Sequence, residues 1–174
     1  MEAAGWACAR HCDGMTAVLA GTGNNGGDAL AAARHLHRWG RLHSVACLDR
    51  RKLTGPAAAR AKALELVGVE IRSGLGFRGA DTVLDGIFGV GLNRPVEGLA
   101  GEWITAINRS GLRVVAIDVP SGIDADTGRV LGVAVRADLT VTLGLPKAGL
   151  TGEVVVADIG IPREAYQAVG VELP

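Results

Sequence analysis

The stretch Thr16–Leu36, TAVLAGTGNNGGDALAAARHL, decides the fold. Its first five residues are apolar or β-prone, a run of glycine and asparagine follows, and apolar residues then return at helical spacing. That order is strand, tight turn, helix. Gly21, Gly23 and Gly26 stand at the G-x-G-x-x-G spacing of a dinucleotide-binding turn. The backbone must bend sharply there, and a ligand can approach without meeting a Cβ. Unpaired N–H groups at the start of the next helix then face an anion such as a diphosphate. A lone glycine turn also recurs without any ligand. The tail of the motif, Asn24-Asn25-Gly26-Gly27-Asp28, says more, because two side-chain amides and a carboxylate pack badly in a tight turn and make good polar ligands.

The 174 residues suffice for one domain, 1–174, with a sizeable core, and are too few for two full ones. Lys plus Arg equals Asp plus Glu at 18 each, so net charge gives no pull toward nucleic acid or an anionic membrane. No apolar run reaches the roughly 18 residues of a membrane span. Arg10, His11 and Asp13 interrupt the N-terminal apolar stretch, which excludes a signal-peptide pattern and points to the cytoplasm. Three cysteines, an odd number, fit reduced thiols in that compartment. Cys8 and Cys12, with His11 between them, are better read as small apolar positions on one helix face than as metal ligands.

Outward from the opening unit, Met1–His11 reads as an alanine-rich helix, Thr16–Ala20 as the first strand, and about Asp28–Trp39 as its helix. Strands are expected at His43–Leu48, Val69–Arg72, Thr82–Leu84, Arg113–Ile117, Leu139–Leu143 and Val154–Ala157, with helices at Pro56–Leu66 and roughly Gly101–Ile107, and a short tail ending at Pro174. This alternation predicts an α/β fold, a Rossmann-like three-layer α/β/α sandwich on a mostly parallel sheet. The last strands lack a clear helix between them, which predicts a mixed or antiparallel edge.

In open α/β sheets ligands sit beyond the carboxyl ends of the strands, where the winding reverses. With the usual order 3-2-1-4-5, the loops after strands one, four and five are neighbours. Those loops carry the unusual polar residues: Asn24–Asp28, then Asp85-Gly86-Ile87-Phe88-Gly89-Val90-Gly91-Leu92-Asn93-Arg94-Pro95, then Asp118-Val119-Pro120-Ser121-Gly122. Singly, Asp28 reads as well as a helix-start residue, and Asp85 and Asp118 as strand-end turn formers. Together, three carboxylates around one crevice repel unless a cation or a proton stands among them. Arg94 is either a solvated charge or a guanidinium beside a diphosphate, and Lys147 reads as a surface lysine.

The segments AGTGNNGGDALAAARHL, DGIFGVGLNRPVEG, VVAIDVPSGIDADTG and ADLTVTLGLPKAGL resemble, in order, the successive motifs of the NAD(P)H-hydrate epimerases. The likeness runs from Met1 to about Pro162. It implies an isomerase that interconverts the R and S forms of NADH and NADPH hydrated at C6 of the nicotinamide ring (NADHX and NADPHX), a repair reaction. It implies substrate binding by Asn24, Asn25, Gly26, Gly27 and Asp28, and by Gly89, Val90, Gly91, Leu92, Asn93, Arg94 and Pro95. Asp118 would contact the substrate near the reacting ring, and Asn25, Asp85 and Ser121 would hold one potassium ion. The chemistry at C6 needs a group that gives and then takes a proton, which makes Asp118 the candidate acid/base and Asp85 its competitor. Lys52 or a neighbouring arginine after the second strand is a candidate for an assisting role. A partner ATP- or ADP-dependent dehydratase and a homodimer are also implied. Met1–Gly5 resembles the middle of the family's N-terminal helix, so that helix is expected to be truncated, and a dehydratase domain is not expected as part of residues 1–174.

Two other readings stand beside this one. In an NAD-dependent dehydrogenase, Asp49 would bind ribose, 23 residues after Gly26, but the Asn pair and Asp85 would have no task. A catalytically silent scaffold of the same fold would not need the intact polar set.

Overall fold

The computed structural model describes residues 1–171, so the end of the expected tail at Pro174 lies outside the described residues. In chain order the elements are α1 (Glu2–Arg10), β1 (Thr16–Ala20), α2 (Asn24–Arg38), β2 (Leu42–Cys47), a 3₁₀ turn (Arg50–Lys52), α3 (Gly55–Leu66), β3 (Ile71–Arg72), β4 (Thr82–Gly86), α4 (Gly98–Arg109), β5 (Arg113–Ile117), β6 (Leu139–Leu143), β7 (Val154–Ala157) and α5 (Arg163–Ala168). The strands form one seven-stranded sheet in the order β3-β2-β1-β4-β5-β6-β7. β1 and β4 sit at its centre, and every residue of each is buried because both faces are covered.

Side chains alternate between two apolar layers, as the two-residue repeat of a strand requires. Val18, Ala20, Val45, Leu84, Val115 and Ile117 face the side packed by α1, α2 and α3. Leu19, Ala46, Val83 and Val114 face the side packed by Trp103, Ile104 and Ile107 of α4. Val133 and Val135, from the long segment between β5 and β6, extend that second layer where no helix lies. Cys8 and Cys12 are fully buried in the first layer, as small apolar positions. No helix among the described residues is long and apolar enough to cross a membrane.

Two expectations are corrected. The sheet has no mixed or antiparallel edge: β6 pairs parallel with β5, and β7 parallel with β6. A parallel return needs length rather than a helix. The connection 144–153 can span up to roughly 33 Å, about twice the rise of a five-residue strand. The second correction concerns α2, which begins at Asn24, four residues ahead of Asp28. Asn and Gly are poor helix formers, so the first turn looks like loop in the sequence. Tertiary contacts from α1 and β4 hold it helical.

Candidate active site

Because the sheet is parallel, the ends of β1, β4 and β5 open on one edge, and the loops that follow them meet there. They enclose a cleft of about 430 Å³, lined by residues 22–25 and Asp28 after β1, residues 87–94 after β4, and Asp118 after β5. Asn24, Asn25, Asp28, Gly89, Val90, Gly91, Leu92, Asn93, Arg94 and Asp118 are thus brought together. Gly26, Gly27 and Pro95 are set back from the lining. A Cβ on Gly26 would overlap the Gly21 carbonyl, and one on Gly21 would overlap the Ile87 carbonyl. Both glycines are demanded by backbone packing between the β1 and β4 turns. Gly23, which caps α2, has nothing within 4 Å of such a Cβ, so the room for a ligand is there.

Asp85 and Ser121 lie behind the cleft wall. Asp85 is fully buried at the end of β4. Its Oδ1 accepts from Ser121 Oγ at 2.6 Å and from the Ile87 amide at 3.2 Å, and its Oδ2 accepts from the Ser121 amide at 2.8 Å. All these partners are neutral. Burial pushes the Asp85 carboxyl up to about 6, against the lowering effect of those hydrogen bonds. Asn25 joins the group through the Phe88 carbonyl, which accepts from Asn25 Nδ2 at 2.7 Å and lies 3.2 Å from Ser121 Oγ. The Phe88 amide donates to Ser121 Oγ at 2.8 Å. One chain of hydrogen bonds therefore ties α2, β4 and the loop after β5.

Asp118 is built differently. Its φ of 66° is the left-handed conformation, and no other non-glycine residue among those described has a positive φ. Its amide donates to the Val141 carbonyl at 2.8 Å, which locks the backbone against β6. Its Oδ1 accepts from the Leu143 amide at 3.0 Å, from Thr142 Oγ1 at 3.3 Å and from Lys147 Nζ. Oδ2 takes no hydrogen bond among the described residues, and the side chain lines the cleft. Strain of this kind persists only where its surroundings over-determine it, and it concentrates at functional positions. Asp28, largely buried on the second turn of α2, has its carboxyl pushed up to about 6, mainly by burial. The Met1 ammonium 3.5 Å away lowers it in part, and the charge of Asp118 raises it. Of the three carboxylates, Asp85 alone has no cationic partner among the described residues.

Residues 1–149 match the family model described as YjeF-related protein N-terminus. The chain belongs to this family. The NAD(P)H-hydrate epimerase of Limosilactobacillus fermentum is 42% identical over 151 residues, covering 81% of this chain and 73% of that protein. The bifunctional NAD(P)H-hydrate repair enzyme Nnr of Thermofilum pendens is 46% identical over 167 residues, covering 84% of this chain but 32% of that protein. The chain therefore spans about a third of the length of the bifunctional relatives. A yeast crystal structure superposes with a TM-score of 0.75 at 24% identity, covering 85% of this chain and 71% of that one, and shares the fold.

In this YjeF-related domain, Lys147 is the site residue that sequence reading placed wrongly. It is not a free surface lysine: Nζ pairs with Asp118 and donates to the Leu143 carbonyl at 2.8 Å. The signal was present, because β6 adjoins β5 and Lys147 lies in the loop beyond β6, on the same sheet edge.

Proposed function

We propose that this chain interconverts the R and S forms of NADHX and NADPHX at C6 of the nicotinamide ring, as a metabolite-repair isomerase. The observation that carries the reading is the single cleft into which Asn24, Asn25, Arg94 and Asp118 converge from three distant loops. Family membership and the names of the epimerase relatives support it.

C6 of the hydrate bears a hydroxyl and the ring nitrogen, so it is a hemiaminal carbon. Its configuration scrambles by loss of water to an iminium and readdition on the other face, or by ring opening and reclosure. Either route needs a proton carrier at the C6 oxygen. Asp118 Oδ2 is that carrier: Oδ1 accepts from three donors, which fixes the carboxylate, and Oδ2 has no partner among the described residues in a side chain that lines the cleft. The unpaired N–H groups of the first turn of α2, with Asn24, bind the diphosphate. The Arg94 guanidinium, which lines the cleft and makes no ion pair among the described residues, adds charge there.

One potassium ion is part of this proposal, held by Asn25, Asp85 and Ser121. Their donor set fits a hard cation, since it offers oxygen only, and Asp85 is a buried carboxylate without a positive partner. The ion would supply that charge and brace the loops after β4 and β5. A dehydratase that consumes the S form would act beside this chain in the cytoplasm, a pairing supported by the bifunctional relatives.

The test starts from a hydrate mixture whose S form has been removed by a dehydratase. With potassium and this protein, chiral chromatography should show S reappearing faster than in a protein-free control. Persistence of the R form at the control rate would overturn the assignment.

A further inference from the structure

A second pocket, of about 420 Å³, opens on the same sheet edge over the ends of β2 and β3. Its lining includes Cys47, Asp49, Arg50, Arg51, Arg72 and Ser73. Only the glycine turn separates it from the cleft. The Leu48 amide donates to the Ala20 carbonyl at 3.0 Å, and Cys47 Sγ lies 3.8 Å from the Gly21 carbonyl. Thr22 and Gly23, the next residues, line the cleft itself. A dinucleotide bound at such a switch point lays its two nucleosides on either side of the turn. With the reacting ring beside Asp118, the adenosine end lies toward β2 and β3.

Asp49 stands where a ribose-binding acid belongs, yet it is already engaged. Oδ1 accepts from the Arg51 amide and from Arg51 Nε, each at 3.1 Å, and Oδ2 from Arg51 Nη2 at 3.3 Å. Arg50 gives Nε and Nη2 to Glu65 at 2.8 and 3.1 Å, and Arg72 gives Nε to Glu70 at 2.9 Å. These carboxylates hold the three guanidiniums without using them up, because Nη1 of each has no partner among the described residues. Oriented arginine forks with spare N–H groups suit a phosphate, which brings nearly two negative charges and three acceptor oxygens. A neutral ribose diol gains little from them.

We propose that this pocket takes the 2′-phosphate of the adenosine ribose, so that NADPHX is preferred to NADHX. The proposal rests on reading the cleft as the NAD(P)HX site. Arg51 and Arg72 select the substrate, and Asp49 and Glu70 position them.

The test is calorimetric titration of the full chain with adenosine 2′,5′-bisphosphate, with 5′-ADP and with inorganic phosphate. The bisphosphate should bind about tenfold tighter than ADP, the worth of one or two charge-assisted hydrogen bonds. The double variant R51Q/R72Q should erase that advantage. Both side chains are exposed, at 89% and 56%, so the core is untouched. In kinetics the double variant should raise KM for NADPHX about tenfold and shift KM for NADHX by far less. Equal affinity for the two adenosine phosphates, binding no better than inorganic phosphate, or an advantage that survives the double variant would overturn the proposal. Absence of turnover with either hydrate would instead overturn the reading of the cleft, and the titrations would still decide the pocket.

Discussion

Asp85 closes β4 and Asp118 follows β5, on neighbouring strands of one sheet, yet their surroundings have little in common. At the end of β4 the carboxylate is sealed from water and both oxygens are occupied by neutral donors. Just past β5 the chain turns through a left-handed residue that lines the cleft, a lysine is paired to one carboxylate oxygen, and the other has no partner among the described residues. A carboxylate sealed from water behind the wall cannot exchange protons with a ligand in the cleft, whereas an anchored carboxylate that lines the cleft, with one oxygen unpartnered, can. The contrast separates a residue that binds loops together from one that lines the cleft.

The sharpest way to break the contrast is Asp118→Asn. Asparagine keeps the shape and tolerates the left-handed backbone, but it cannot carry the proton. Epimerisation followed by chiral chromatography should lose about a thousandfold in kcat/KM, while urea unfolding shifts by up to about 3 kcal/mol, because Lys147 keeps an amide oxygen but loses a largely buried charge partner. A variant that retains activity would transfer the acid/base role elsewhere.

The next effect belongs to Asp85 and is one of stability. Its folded carboxyl lies at about 6, above the ordinary 3.8, so the native state binds the proton more tightly than the unfolded chain. Its contribution is therefore most favourable below about pH 4 and is lost as pH rises to about 6, with a span of roughly 3 kcal/mol. In potassium-free buffer, unfolding free energy should fall across that window. Asp28, also raised to about 6, acts in the same direction. Potassium should restore stability at pH 7 and do little at pH 4, and Asp85→Asn should remove about half of the slope, leaving the share of Asp28. A slope indifferent to potassium would remove the cation from the buried end of the comparison.

The smallest effect sharpens the exposed end. Lys147→Gln should lower kcat/KM about tenfold, the worth of one charge-assisted hydrogen bond that orients Asp118. Lys147→Arg should recover part of the loss. Rates equal to those of the unaltered protein would reduce Lys147 to a loop anchor.

Apolar runs bounded by turn residues were enough to place Thr16–Ala20, Arg113–Ile117, Leu139–Leu143 and Val154–Ala157, because a buried strand must be apolar whatever surrounds it. The glycine turn and the winding of a parallel sheet were enough to bring Asn24, Asn25, Gly89–Arg94 and Asp118 to one edge. Other features depend on contacts between residues far apart in the chain. The asparagines became the first turn of a helix, the last two strands returned parallel without helices, and Lys147 found Asp118 from 29 positions away. The different fates of Asp85 and Asp118 have the same origin. Local pattern reports which residues want to leave water, whereas charge and proton affinity depend on what else has left water beside them, and that is known only once the loops have met.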